Sequence, residues 1–250
     1  MNHVSGTATA REEISAAIFD MDGAVTDTAF IHAASWKRVF DEFLRSHAQT
    51  TGGRFVPFDL RDDYLAHVEG RSHLDGARAF LSSRGIVLAE EESSTDPYVL
   101  TVAVLGDRKE RLFLDYVRTY GVGAYPTTIT LLKELRRAGV STAVVSASRS
   151  CTVVLKAAGI AELFDVRVSD RDAERLHLPF KPEPALLVEA ARRMGHPRSR
   201  TAVFKSSPAG VEAGVRSGFG LVIGVDRAGR AAEFYAHGAE LVVSDLAGLC

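Results

Sequence analysis

An alternation constrains the fold more than any single motif. Short apolar runs recur along the chain with amphipathic stretches between them. Residues 15–20 (SAAIFD), 141–146 (STAVVS), 201–204 (TAVF) and 221–225 (LVIGV) read as strands, with 241–244 (LVVS) a weaker candidate. Residues 129–139 (ITLLKELRRAG) carry Leu131, Leu132 and Leu135 at helical spacing and stop at Gly139. Residues 184–195 (PALLVEAARRMG) open on proline and close on glycine, the asymmetry expected of a helix. Ser207-Pro208 supplies an N-cap and an N1 proline to residues 209–218. Strand alternating with helix predicts an α/β fold, a Rossmann-like parallel sheet with helices on both faces.

One stretch breaks the alternation. Between residues 29 and 120 the pattern is helical at 33–46, 62–70, 75–85 and 107–121, with polar, Gly/Pro-containing loops expected at 47–59 and 88–98. Residues 1–28 and 121–250 therefore read as an α/β core domain, and residues 29–120 as an inserted helical domain. An insert placed directly after the first strand predicts an active site in the cleft between the two domains.

Composition excludes several classes. Thirty Lys and Arg against 32 Asp and Glu leave a formal net charge of −2, which gives no electrostatic case for nucleic acid or an acidic membrane surface. No apolar run is long enough to span a bilayer, and residues 1–13 lack the apolar segment of a secretory signal. Cys151 and Cys250 form neither a metal-type pair nor a disulfide framework, so a reduced, cytoplasmic protein is expected. Cys151 reads as a small hydrophobe at a helix start. His47, His67, His177, His196 and His237 show no metal-type spacing, and Glu90-Glu91-Glu92 reads as a solvated run.

The chemistry sits at strand ends, where parallel sheets bind ligands. The first strand ends in Asp20-Met21-Asp22-Gly23. Two carboxylates two residues apart suit a nucleophile and an acid/base, Asp20 attacking phosphorus and Asp22 carrying protons. Alone, such a sequence is equally an ordinary polar turn. Ser146 closes the 141–146 strand and leads into Ala147, Ser148 and Arg149, a hydroxyl and backbone amides suited to phosphate oxygens. Lys181 lies in a proline-flanked loop where an ammonium can neutralise carboxylate and phosphate together.

FDMDGAVTDTA, VVSAS, KPEP and PAGVEAG, in this order and spacing, resemble the haloacid dehalogenase superfamily over nearly the whole chain. The branch most similar is the β-phosphoglucomutase-like one, whose helical cap follows the first motif. His32 and Trp36, GRSHLDGARAFLSSRGI and LGDRKE fit that branch. The resemblance implies that Asp20 becomes an aspartyl phosphate and that Asp22 is the general acid/base, its backbone carbonyl helping to hold Mg²⁺. It implies that Ser146 and Lys181 bind the transferring phosphoryl group. It places substrate binding at Gly70, Arg71, Ala147, Ser148, Arg149 and Ser150, with Trp36 beside them, and cap closure and acid/base positioning at His32 and Lys109. The implied partner is a small phosphorylated sugar.

One motif departs from the branch. Its two acids after the 201–204 strand are here Lys205 and Ser206, so the implied metal ligands reduce to Asp20 and Asp22. Mg²⁺ wants carboxylate oxygens in octahedral geometry, so weak Mg²⁺ binding and reduced activity are expected. Phe180, His73 and Ser150 also replace residues usual in the branch. Three functions fit: a hexose-phosphate mutase working through an aspartyl phosphate, favoured by Arg71, Arg149 and Lys109; a phosphatase on a small metabolite; and a phosphate-binding module without turnover.

Overall fold

A computed structural model describes residues 14–89, 100–179 and 183–249. Lys181, Phe180, Cys250 and the 90–92 acidic run lie outside the described residues. The chain divides into two compact units. One comprises the described residues up to Asp27 together with those from Val122 onward; the other runs from Thr28 to Gly121.

The first unit is built on a six-stranded parallel sheet: β1 (Ala16–Asp20), β2 (Ser141–Ser146), β3 (Val166–Ser169), β4 (Thr201–Lys205), β5 (Leu221–Val225) and β6 (Leu241–Val243), in the order β3-β2-β1-β4-β5-β6. β1 and β4 are buried at every position, which is why they read as continuous apolar runs. The chain runs from β1 outward to β3 on one side and from β4 outward to β6 on the other. The switch point therefore falls beside β1, at the carboxyl ends of β1, β2 and β4.

Flanking helices follow the expected punctuation. The helix Pro126–Arg137 has proline in its first turn. Ala185–Met194 ends at Gly195 in the left-handed region (φ 74°). Pro208–Arg216 is capped by Ser207, whose Oγ accepts from Gly210 N at 3.3 Å. Cys151 opens the short helix Cys151–Ala157 and is buried. His196 ties the bases of two strands together, with Ser15 Oγ at 2.9 Å from Nδ1 and Ser141 Oγ at 3.0 Å from Nε2. Two elements carried no apolar signal: β3, whose Arg167 interrupts the run, and the charged helix Asp170–Leu176, held by a reciprocal Ser169–Asp172 capping box.

The second unit is helical: α1 (Ala29–Thr51), α2 (His73–Ser83) and α3 (Val102–Tyr120), with a π-helical turn at Tyr64–Val68. Its core is aromatic. Trp36 stacks on Phe40 at 4.6 Å between centroids, and Phe40 also meets Phe58 and Phe80. Two segments differ from the sequence reading. Residues 47–51, expected as loop, continue α1, because Thr50 and Thr51 hydroxyls bond back to the Ser46 and His47 carbonyls and Gly52 then stops the helix at φ 70°. The 62–70 stretch closes a wider turn than an α-helix, with Glu69 N donating to Tyr64 O at 2.9 Å.

Candidate active site

Sheet register assembles the site. Phe19 pairs with Phe204, so the next residues on each strand, Asp20 and Lys205, stand side by side where β1 and β4 end. Asp20 also pairs with Val145 on the other side, which brings Ser146 to the same edge. Asp20 is buried (4% exposed) and Lys205 is fully buried (0%). The Lys205 ammonium donates to Asp20 Oδ1 as an ion pair. Ser206 donates to the other oxygen, Oδ2, through its backbone N at 3.1 Å and its Oγ at 3.2 Å. A buried carboxylate is thus paired with a buried ammonium and two further donors, as burial of charge demands.

Asp22 lies two residues on, where the chain turns. Gly23 takes φ +82°, which favours glycine, and a Cβ there would press on Ser206 Cβ at 3.1 Å. Gly23 N donates to Thr26 O at 2.9 Å, and Thr26 bonds Met21 O through both its backbone N (2.9 Å) and Oγ1 (3.1 Å). Ser146 Oγ reaches Asp22 Oδ2 at 3.4 Å and accepts from Ser148 N at 3.1 Å. Ser148 Oγ in turn accepts from Ser150 N at 3.1 Å, so the 146–150 segment is pinned by its own hydroxyls. Asp20, Ser146, Ala147 and Lys205 line one small cavity, closed on another side by Glu183 and Leu187.

Motif reading missed the supports of the loop. Arg227, two residues past β5, donates from Nε to Gly23 O at 2.9 Å, and its guanidinium lies 3.4 Å from the centroid of the Tyr125 ring. Thr128 Oγ1 donates to Ala24 O at 2.8 Å. Tyr125 OH donates to Asp27 Oδ1 at 3.1 Å; burial first and Asp27 second push its hydroxyl up to about 12. The signal that leads to Arg227 is its place beyond a strand's carboxyl end.

Other sequence candidates fall as follows. Arg149 is ion-paired with Asp170 (Nε to Oδ2, 3.3 Å) and with Glu174, both on the helix that follows β3. Within the helical unit, Lys109 Nζ lies 2.8 Å from His32 Nδ1. An ammonium only donates, so Nδ1 accepts and the imidazole proton is assigned to Nε2. His32 stacks on Phe113 at 4.1 Å, and Lys109 lies 4.9 Å from the same ring centroid. Trp36 is 1% exposed in the aromatic core, Gly70 takes φ 73°, and Arg71 is exposed.

The metal implied by the sequence resemblance does not fit the residues present. Among the described residues no group of three or more His, Cys, Asp and Glu side chains could hold a metal ion. Lys205 and Ser206 present an ammonium and a hydroxyl, and both Asp20 oxygens already accept from them. Two unit charges about 4 Å apart interact by about 4 kcal/mol at an effective dielectric of 20, and a dication beside Lys205 faces about twice that as repulsion.

A parallel sheet that sets carboxylates at the carboxyl ends of its central strands is of a kind suited to phosphoryl transfer. The haloacid dehalogenase-like hydrolase model matches residues 14–218, and the chain belongs to that family. A β-phosphoglucomutase of Mycobacterium bovis is 37% identical over 241 residues, covering 95% of this chain and 92% of that protein. An uncharacterised glycosyl hydrolase of Mycobacterium tuberculosis is 36% identical over 234 residues, but the match spans only 17% of its length. Among solved structures, a β-phosphoglucomutase of Clostridium difficile superposes with a TM-score of 0.74 at 20% identity, covering 95% of this chain and 93% of its own.

Proposed function

We propose that the protein is a β-phosphoglucomutase-like phosphotransferase that moves a phosphoryl group between positions of a hexose through Asp20. In this reading residues 1–28 and 121–250 are the catalytic core and residues 29–120 a helical cap. The observation that carries it is the pair of carboxylates, Asp20 and Asp22, at the switch point with the Ser146 hydroxyl at the same edge. The 37% identity to a β-phosphoglucomutase over nearly both whole chains supports the sugar class. A cytoplasmic setting accords with the free, buried thiol of Cys151.

The chemistry follows from the donors. An Asp20 oxygen attacks phosphorus, the bond from phosphorus to the sugar oxygen breaks, and Asp22 gives that oxygen a proton. Asp22, now the carboxylate, takes the proton of the accepting hydroxyl in the second half-reaction, and the acyl phosphate bond breaks. The Ser146 hydroxyl and the Ser148 region orient the phosphoryl oxygens, while Lys181 serves as a second cation. In-line positioning and distributed positive charge matter more here than further covalent help.

Phosphatase action is the second reading, with water as the acceptor. It is favoured by the capture of Arg149 by Asp170 and Glu174, which removes one cation from the set for a second phosphate. The test feeds β-glucose 1-phosphate and measures glucose 6-phosphate and inorganic phosphate together. Glucose 6-phosphate in excess supports the mutase; phosphate alone supports the phosphatase; neither product refutes both.

A further inference from the structure

The Asp20–Lys205 pair leaves a question about charge. Phosphoryl transfer between carboxylates needs a cation beside the nucleophile, and the donor set does not suit a divalent one. The structure already places a cation there. Lys205 is fully buried, its ammonium is on Asp20 Oδ1, and it lines the same cavity as Asp20 and Ser146. A second, independent observation concerns its stem. Gly210, in the first turn of the helix Pro208–Arg216, faces it so closely that a Cβ at 210 would lie 2.7 Å from Lys205 Cε. The same Cβ would lie 3.5 Å from Asp20 Oδ2. The helix thus leaves one side-chain-free slot, and the lysine stem fills it.

We propose that Lys205 is the permanent cation of this site, so that the pocket takes a phosphate monoester and transfers its phosphoryl group with no divalent metal. Gly210 is the residue that makes room for it. The proposal rests on the aspartyl-phosphate reading of Asp20 and deepens it. During transfer the ammonium keeps its hydrogen bond to Oδ1 while the other Asp20 oxygen forms the acyl phosphate, and the displaced charge leaves on the sugar oxygen, which takes its proton from Asp22. The phosphoryl oxygens keep their charge throughout beside a fixed positive group. A lysine supplies a point charge rather than an octahedral frame, so positioning falls to the donors around it, Ser206 and the 146–150 segment. Lys205→Met removes the charge, and Gly210→Ala crowds the lysine stem while leaving Lys205 and Asp20 themselves in place.

The experiment titrates Mg²⁺ alone, inorganic phosphate and β-glucose 1-phosphate into the full chain, with EDTA and with excess Mg²⁺ for the two anions. The expected result is no heat from Mg²⁺ at millimolar concentration, and anion binding that is the same in both buffers. Lys205→Met and Gly210→Ala, each checked for folding by circular dichroism, then bind phosphate at least about tenfold more weakly. If Lys205→Met does not fold, Gly210→Ala carries the comparison. Lys205→Glu with Ser206→Asp gains a Mg²⁺-dependent rise in melting temperature, a readout independent of turnover. Mg²⁺ binding to the unaltered chain, anion binding only with Mg²⁺, no anion binding at all, or phosphate affinity unmoved in both variants overturns the proposal. If phosphate binds without metal but no phosphoryl group ever reaches Asp20, the transferase reading falls and the assignment of Lys205 as the phosphate-site cation stands.

Discussion

Asp20 takes the partners of both its carboxylate oxygens from the end of one neighbouring strand, Lys205 on Oδ1 and Ser206 on Oδ2. The pairing is a product of register: Phe19 lies against Phe204, and the residues that follow meet at the sheet edge. A one-residue slip would separate them.

Asp20→Asn and Asp22→Asn should separate the two half-reactions. An amide cannot attack phosphorus, so Asp20→Asn abolishes transfer. Asp22→Asn removes the proton carrier and leaves more phosphoenzyme than turnover. Rapid quench of both variants with labelled substrate checks this; appreciable turnover in Asp20→Asn counts against the assignment.

Arg227 should act on rate through the Gly23 turn. Its Nε bond to Gly23 O and its stacking on Tyr125 hold the loop that carries Asp22. Arg227→Leu is expected to lower kcat by about tenfold or more with a smaller change in KM, since misplacing an acid/base costs rate. Arg227→Lys should recover little, because a lysine cannot reproduce the stacked plane. Equal loss in kcat and stability alone, with an unshifted pH profile, would mark a merely structural role.

Phe40→Ala should destabilise the helical unit by about 3–5 kcal/mol, the usual cost of emptying an aromatic core position. Phe40 is fully buried and touches Trp36, Phe58 and Phe80. Urea unfolding followed by Trp36 fluorescence reports it, and a midpoint unchanged from the parent contradicts the packing described.

Acid stability should depend on Glu189. Hydrogen bonds from Arg192, with Arg193 beside it, hold its carboxyl at about 2, below its ordinary value of 4.5. A carboxyl depressed in the folded state contributes stability that is complete above its unfolded value and lost as pH falls from there toward 2. Glu189→Gln should therefore flatten the fall in melting temperature between about pH 4.5 and pH 2. Parallel curves for both proteins in that window contradict it.

Much of this was legible from residue order, and the reason is burial. β1, β2, β4 and β5 lie inside the sheet, so each carries a run of buried apolar residues, and β1, β2 and β4 end in the polar residues Asp20, Ser146 and Lys205. β3 is an edge strand with Arg167 exposed between Val166 and Val168, and four residues with one covered face carry too little pattern to read. The helix after it is mostly charged, and it supplies the Asp170 and Glu174 that capture Arg149. Residue types at 205 and 206 were plain in the chain, but the ion pair of Lys205 and the hydrogen bonds of Ser206 to Asp20 exist only through the β1–β4 register. Arg227 reaches Gly23 from 204 residues away, and no local spacing foretells that.

The central claim is that Asp20 carries the phosphoryl group. The most direct measurement incubates the full chain, in EDTA, with β-glucose 1-phosphate, quenches it in acid, and maps the peptides by mass spectrometry. The account predicts one added phosphoryl group on the peptide containing Asp20, on that residue, and none in Asp20→Asn. A phosphoryl group on another residue, or none on the parent chain while product accumulates, would contradict it.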